Sequence, residues 1–357
     1  MVYYDIMKTQ HFTTLCALCA LLCAGAVTGC NSTPLQEQGR AMLPVNQAQK
    51  KIIERRAAAF RKVMAPLKLR GVGIRLGAFR NSPLTESDIM ALVKKLGFNR
   101  IYCHISSELE LAEPLEKLLA AASEAGIPVE LTVRQGDFKH RFRGNAFVRS
   151  LLPQFRTLPD LAEDIVDFNN SLPENARLAG VTVRFEPHLF SYANGADRIP
   201  GLFYVWNQNT FGPGLDNDKL VLFSLKQLEA VKKNLKTIPL TVELPDFYPL
   251  WAAEKKLSKG RVRDFAHIGT VLLQCTGNVP SELVKLSRTG LGEKRNLTAV
   301  IPLADHTSVR SGALRRRDWN DLVRSLGYFI NSTRKYQCSG AVLRPLSELG
   351  YMLLEQD

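Results

Sequence analysis

The sequence is short of acids. Against 47 Lys and Arg it carries 34 Asp and Glu, a formal charge of +13 over 357 residues. Such a surplus favours contact with anionic surfaces such as phospholipid head groups, nucleic acid or acidic glycans, and it says nothing about fold. Cysteine is sparse where it would matter. Of seven cysteines, Cys16, Cys19, Cys23 and Cys30 fall in the first thirty residues, which leaves Cys103, Cys275 and Cys338. Three widely spaced cysteines make no disulfide framework and have no metal-ligand spacing, so buried free thiols are the expectation. His104, His188, His267 and His306 lack paired spacing as well, and no metal or cofactor is assigned. No Gly-rich dinucleotide loop follows the first strand, which removes the usual reason to prefer an open doubly wound sheet. The nearly charge-free run from Phe12 to Ala26 is too short for a comfortable membrane span. What remains, 45% hydrophobic and 23% charged residues, is the composition of an ordinary globular protein with a full core.

That short apolar run follows Met7-Lys8 and suits the central region of an export signal. It ends in Val27-Thr28-Gly29-Cys30, which resembles the lipobox of bacterial lipoproteins. The resemblance implies a signal peptide over residues 1–29, diacylglycerol on Cys30, and a membrane-anchored, extracytoplasmic place in the cell envelope. An uncleaved N-terminal membrane helix is the rival reading. Residues 30–46 read as a polar tether, and 47–357 as one domain. The domain opens with a helix over Gln47–Met64 whose outer face carries Lys50, Lys51, Arg55, Arg56, Arg61 and Lys62. Its apolar stripe is expected to pack on the domain rather than lie on an anionic membrane.

Short apolar strands then alternate with helical patterns. Strands are predicted over Val72–Leu76, Arg100–Ile105, Pro128–Val133, around Gly180, Leu240–Leu244, His267–Leu273, Leu297–Leu303 and Gly340–Leu343. Thr85 with Asp88 has the spacing to cap one intervening helix, and Gly97 and Gly126 close two of them. Repeated strand-then-helix units imply parallel neighbours, which need crossovers of a dozen or more residues. About eight such units in a chain of this length predict an α/β fold, a single-domain (β/α)8 TIM barrel.

Leu178–Pro187 is the most informative stretch. Val181, Val183 and Phe185 alternate with Thr182, Arg184 and Glu186, the period-two pattern of a strand with two distinct faces, and Pro187 stops the ladder. Gly180, Val181, Val183, Phe185 and Glu186 resemble the fourth-strand motif of chitinase-type glycoside hydrolases, family 18. Leu240-Thr241-Val242-Glu243-Leu244-Pro245 resembles that family's fifth strand, and Val300-Ile301-Pro302-Leu303 and Gly340-Ala341-Val342 its seventh and eighth. The resemblance implies a barrel that acts on glycans, with Glu186 protonating the glycosidic oxygen. It also implies a degenerate site. The family's three aspartates fall on Ala179, Thr182 and Arg184, and a guanidinium, with donors only, does not accept the acetamide N–H that the last aspartate holds. The sixth-strand tip reads Leu273-Gln274-Cys275-Thr276, without the family's tyrosine.

Taken without the family, Glu186 needs a second carboxylate across the cleft to hydrolyse a glycoside. Asp305, followed by His306, is the better partner and Asp246 the second. Glu243 is disfavoured by strand parity, because it shares a face with Thr241. An ion pair between Arg184 and one acid near the barrel mouth is the structural alternative. The long connection after Glu186 is rich in aromatics, so Tyr192, Tyr204 and Trp206, with Asn207, are candidate sugar contacts. Arg184 and Gln274 join them at the strand tips. Basic clusters at Lys139, His140, Arg141, Arg143 and Arg149, and at Arg310 and Arg315 to Arg317, follow the third and seventh strands. A solvated charged face is the usual fate of such runs, and an anionic ligand at the barrel mouth is the alternative. Two functions stay open: a glycoside-hydrolase-like enzyme, and a non-catalytic glycan- or protein-binding barrel with a retired active site. Nucleic acid is not an expected partner of an exported lipoprotein.

Overall fold

The computed structural model describes residues 47–76, 85–105, 113–135, 157–185, 217–245, 248–249, 252, 256–265, 268–275, 297–303, 318–335 and 340–354. All of them fall in the larger of two compact units, Val45–Gly77 with Leu84–Asp357. In chain order the elements are α1 (Gln47–Met64), β1 (Leu69–Arg75), α2 (Glu86–Lys95), β2 (Arg100–His104), α3 (Glu113–Glu124), β3 (Val129–Arg134), α4 (Leu158–Ser171) and β4 (Gly180–Arg184). There follow α5 (Asn217–Asn234), β5 (Leu240–Leu244), the single turn α6 (Val262–Phe265), β6 (Thr270–Gln274), β7 (Leu297–Pro302), α7 (Trp319–Lys335), β8 (Gly340–Arg344) and α8 (Leu346–Leu354).

The eight strands pair in sequence order, all parallel, and β1 closes on β8. This is the (β/α)8 barrel that the alternating pattern predicts. Its stagger follows from the register. From Leu69 the partners run through Gly340, Thr298, Leu272, Glu243, Arg184 and Arg134. Arg134 stands two residues beyond Thr132, which faces His104 and through it Arg75. The circuit therefore returns to β1 about eight residues ahead of its start, the shear of a TIM barrel.

Both faces of every strand are enclosed, for different reasons. The outward positions, among them Val72, Ile101, Leu131, Val183, Val242, Leu273, Ile301 and Leu343, are apolar and buried under the helices. The helices supply matching stripes. In α3 these are Leu115, Leu118, Leu119 and Ala122, at the spacing of one helical face. Thr85 and Asp88 form the expected capping box on α2: Thr85 Oγ1 accepts from the Asp88 N–H at 3.2 Å, and the Thr85 N–H donates to Asp88 Oδ2 at 2.9 Å. Thr157 and Asp160 repeat it on α4. Gly97 and Gly126 end α2 and α3 with φ of 77° and 65°, a conformation that favours glycine.

Helix α1 packs on the domain as expected, but the buried face is Arg56, Ala57, Phe60 and Met64, so Arg56 lies inside and not on the outer face that the sequence suggests. Phe60 packs between Phe98 and Trp319, with ring centroids 5.7 and 5.5 Å away. The Trp319 indole donates to the Arg56 carbonyl, and Arg56 donates to the Leu353 carbonyl in α8. Lys50, Lys51, Arg55 and Lys62 stay exposed. Cys103 and Cys275 are buried free thiols, and burial pushes the Cys103 thiol up to about 12. Cys338 and the proposed leader and tether, residues 1–46, lie outside the described residues. No helix among the described residues is long and apolar enough to cross a membrane.

Candidate functional site

The inward strand positions decide what the barrel is. With the stagger above, they fall in layers of four drawn from alternate strands. A middle layer, Tyr102, Thr182, Leu272 and Val342, carries most of the apolar plug, completed by Val300 and Leu69. Below it, Glu130 is buried with 2% of its surface exposed. Its carboxylate accepts from Arg100 at 2.8 Å and from the Thr182 hydroxyl. This is a closed ionic plug in the floor, far from the strand tips.

Above the plug the interior turns polar and basic. The next layer holds Gly73, Thr132, Glu243 and Val300, and the one over it His104, Arg184, Gln274 and Arg344, with Arg75 and Arg134 at the rim. Glu243 is the hub and has no exposed surface. Arg344 Nη1 lies 3.0 Å from Glu243 Oε1 and 2.8 Å from Oε2, so one guanidinium nitrogen straddles both oxygens. Gln274 Nε2 donates to Oε1 at 2.6 Å, and Gln274 Oε1 accepts from Arg184 Nη2 at 3.0 Å. The amide thus links the second arginine to the same carboxylate. Gly73 makes the room: a Cβ there would press into the Arg344 side chain.

Electrostatics follow from this arrangement. Burial by itself would raise the Glu243 carboxyl, but Arg344, Arg184 and the Gln274 amide outweigh it and hold it below the usual carboxylate range. Glu243 is therefore an ionised anchor and not a proton donor. Burial, then the charges of Arg344, Arg75 and Arg134, lowers His104 to about 4, so it stays neutral at physiological pH. Because the folded chain binds fewer protons here than the unfolded one, unfolding free energy falls as pH drops from about 6.5 to about 4. The limiting slope is about 1.4 kcal/mol per pH unit for one proton. Urea midpoints measured across that window should flatten in His104→Gln; an unchanged slope in the variant sinks the assignment.

Two of the residues singled out in the sequence, Arg184 and Gln274, are thus brought together, 3.0 Å apart at the strand tips. Glu186, Asp246, Asp305, Tyr192, Tyr204, Trp206, Asn207 and Cys30, with both basic loop clusters, lie outside the described residues. The reason for discounting Glu243 as a partner acid does not hold, although its ties to Arg344 and Gln274 make it an anchor. The face it shares with Thr241 is the barrel interior, and Glu243 sits at the centre of the mouth. Arg344, His104, Arg75, Arg134 and Thr132 were missed. Their signal was present, since each except mid-strand Thr132 stands at the C-terminal end of a strand, where barrels keep functional groups. Among the described residues no group of three or more His, Cys, Asp or Glu is arranged to hold a metal ion.

No family model matches this chain, and no curated protein matches it. Among solved structures it is similar to the β-mannanase from Thermomonospora fusca, at 10% identity over 78% of each chain, with a TM-score of 0.43. A GH5-4 broad specificity endoglucanase from an uncultured bacterium is similar at 11% identity, over 80% of this chain and 88% of that one, TM-score 0.42. The GH53 catalytic domain of Ignisphaera aggregans is similar at 12% identity, over 77% and 84%, TM-score 0.43. The barrel assignment itself rests on the closed ring of strand pairs.

Proposed function

We propose that the chain is the body of an extracytoplasmic bacterial lipoprotein, anchored through Cys30, whose barrel acts on a glycan at its C-terminal mouth. In this reading the barrel is of family 18 chitinase-like descent, Glu186 is the general acid, and Asp305 or Asp246 is the second carboxylate. The observation that supports it is the change of character inside the barrel. An apolar plug closes the middle, and a half-buried polar network of His104, Arg184, Gln274 and Arg344 over Glu243 opens toward the strand tips. Directional donors and acceptors held by one another are what a polyhydroxylated ligand needs. Tyr192, Tyr204, Trp206 and Asn207 would supply stacking and further hydrogen bonds.

The test is glycan turnover by residues 31–357 compared with the same chain carrying Glu186→Gln. Loss of the acid should lower kcat by about 10²–10⁴-fold while binding persists. A second reading has its own observation. Glu243 is ionised and committed to Arg344 and Gln274, and Arg184 occupies the position of the acetamide-holding aspartate. Both favour a barrel that binds a glycan without cleaving it. Equal binding by wild type and Glu186→Gln, with turnover in neither, would establish that reading instead.

A further inference from the structure

We propose that the barrel mouth recognises an oxyanion carried on the glycan, either the carboxylate of a uronic acid or a sulfate ester, through Arg344, Arg184, Arg134 and Arg75. The proposal rests on the glycan reading above and specifies the substrate class of that same site. In the layers above the apolar plug, four guanidiniums stand at the C-terminal ends of β1, β3, β4 and β8, and Arg344 is held there by Glu243. Arg75 is exposed, while Arg134, Arg184 and Arg344 are half-buried, so their charge is only partly screened by water. Positive charges converging in a low-dielectric recess focus their field on whatever enters it. Burial first, then the charges of Arg344, Arg75 and Arg134, disfavour protonation of His104, in keeping with three guanidiniums that face one recess.

The donors are also aimed before a ligand arrives. Glu243 takes Arg344 through Nη1, which holds that end of the guanidinium in place. Arg344 Nη2 is buried and has no acceptor among the described residues. In the layer beneath, Thr132 Oγ1 is likewise buried without a hydrogen-bond partner among them. The Arg344 Nη2 donor, without an acceptor among the described residues, is one charge-assisted hydrogen bond that an oxyanion could accept. Gly73 leaves space for the Arg344 stem to cross the barrel, and the Gln274 amide holds Arg184 on the opposite side of the carboxylate. Little ordering remains to be done on binding. Neutral His104 adds one donor and one acceptor without adding charge.

The experiment is calorimetric titration of the full chain in detergent with three polymers: polygalacturonate, the same polymer after carboxyl reduction, and dextran sulfate. Arg184→Gln and Arg75→Gln are compared with Lys62→Gln, which removes one charge from the exposed face of α1. Polygalacturonate or dextran sulfate should bind at least tenfold more tightly than the reduced polymer, and Arg184→Gln should weaken that binding roughly tenfold. Lys62→Gln should leave it unchanged. The ratio of the two acidic polymers decides between carboxylate and sulfate. Equal affinity for acidic and carboxyl-reduced polymers overturns the proposal and leaves the glycan reading standing. An affinity lowered as much by Lys62→Gln as by Arg184→Gln overturns it too, because the attraction would then belong to the whole +13 chain. No binding of any of the three polymers, reduced or acidic, overturns the glycan reading together with it.

Discussion

Glu243→Ala should lower the unfolding free energy by about 3–5 kcal/mol, the usual loss when one partner of a buried ion pair is removed. The reason is what the substitution leaves behind. Arg344, with only 23% of its side chain exposed, keeps its charge and loses both carboxylate oxygens. Arg184, tied to the same carboxylate through Gln274, loses that link. The Gln274 amide loses its acceptor as well. The sign of the pH dependence follows from the depressed carboxyl. A folded-state value below the unfolded one contributes stability that is present above about pH 4.3 and is lost as pH falls through the folded value. The difference between wild type and Glu243→Ala should therefore be full at pH 7 and shrink below about pH 4. Urea unfolding followed by tryptophan fluorescence reads both. A loss under about 1 kcal/mol at pH 7 would mean that the ion pair merely balances its own desolvation. Glu243→Gln keeps the shape and the acceptor for Gln274, and should fall between the two.

The inward place of this hub was not legible in the sequence, and the reason is geometric. Period-two alternation divides a strand into two faces, and it separated Val242 and Leu244 from Thr241 and Glu243 correctly. It does not say which face lies inside a closed barrel. In an open sheet with one solvated side, a polar face reads as solvent. Here the apolar face turns outward to the helices and the polar face turns inward, so both are enclosed. The same inversion hid Glu130 and Thr132 in the middle of β3. Element positions were far easier to read. Gln47–Met64 and Leu240–Leu244 are observed with the predicted bounds, and β6 starts three residues late because Ile268 and Gly269 turn into it. Helix α8 was not anticipated: its nine residues include Gly350 and carry too few turns for a clear period. Arg344 lies at the tip of β8, two residues beyond the Gly340-Ala341-Val342 that carries the family resemblance.

Phe185→Ala should cost a comparable 3–5 kcal/mol, although it touches no charge, by opening a cavity outside the barrel wall. Phe185 has no exposed surface and closes a three-ring cluster with Tyr248 and Phe265, at centroid distances of 5.2 and 4.8 Å in edge-on geometry. Tyr248 is fixed in turn by its hydroxyl, which donates to the Gly260 carbonyl at 2.9 Å. Phe185→Leu retains most of the volume and should cost under about 1.5 kcal/mol. The pair of variants tests more than packing. The end of β4 is held on its inner face by Arg184 against Gln274, on its outer face by Phe185 among the rings, and along its edge by the Phe185 N–H donating to the Glu243 carbonyl at 2.8 Å. The chain leaves that fixed point directly into Glu186. If Glu186 is the acid, Phe185→Leu should lower kcat more than it raises KM, because it shifts the origin of the acid while Gln274 still holds Arg184. An unchanged kcat in a folded Phe185→Leu chain would show that the segment after β4 is positioned by its own contacts, and that the ring cluster serves stability alone.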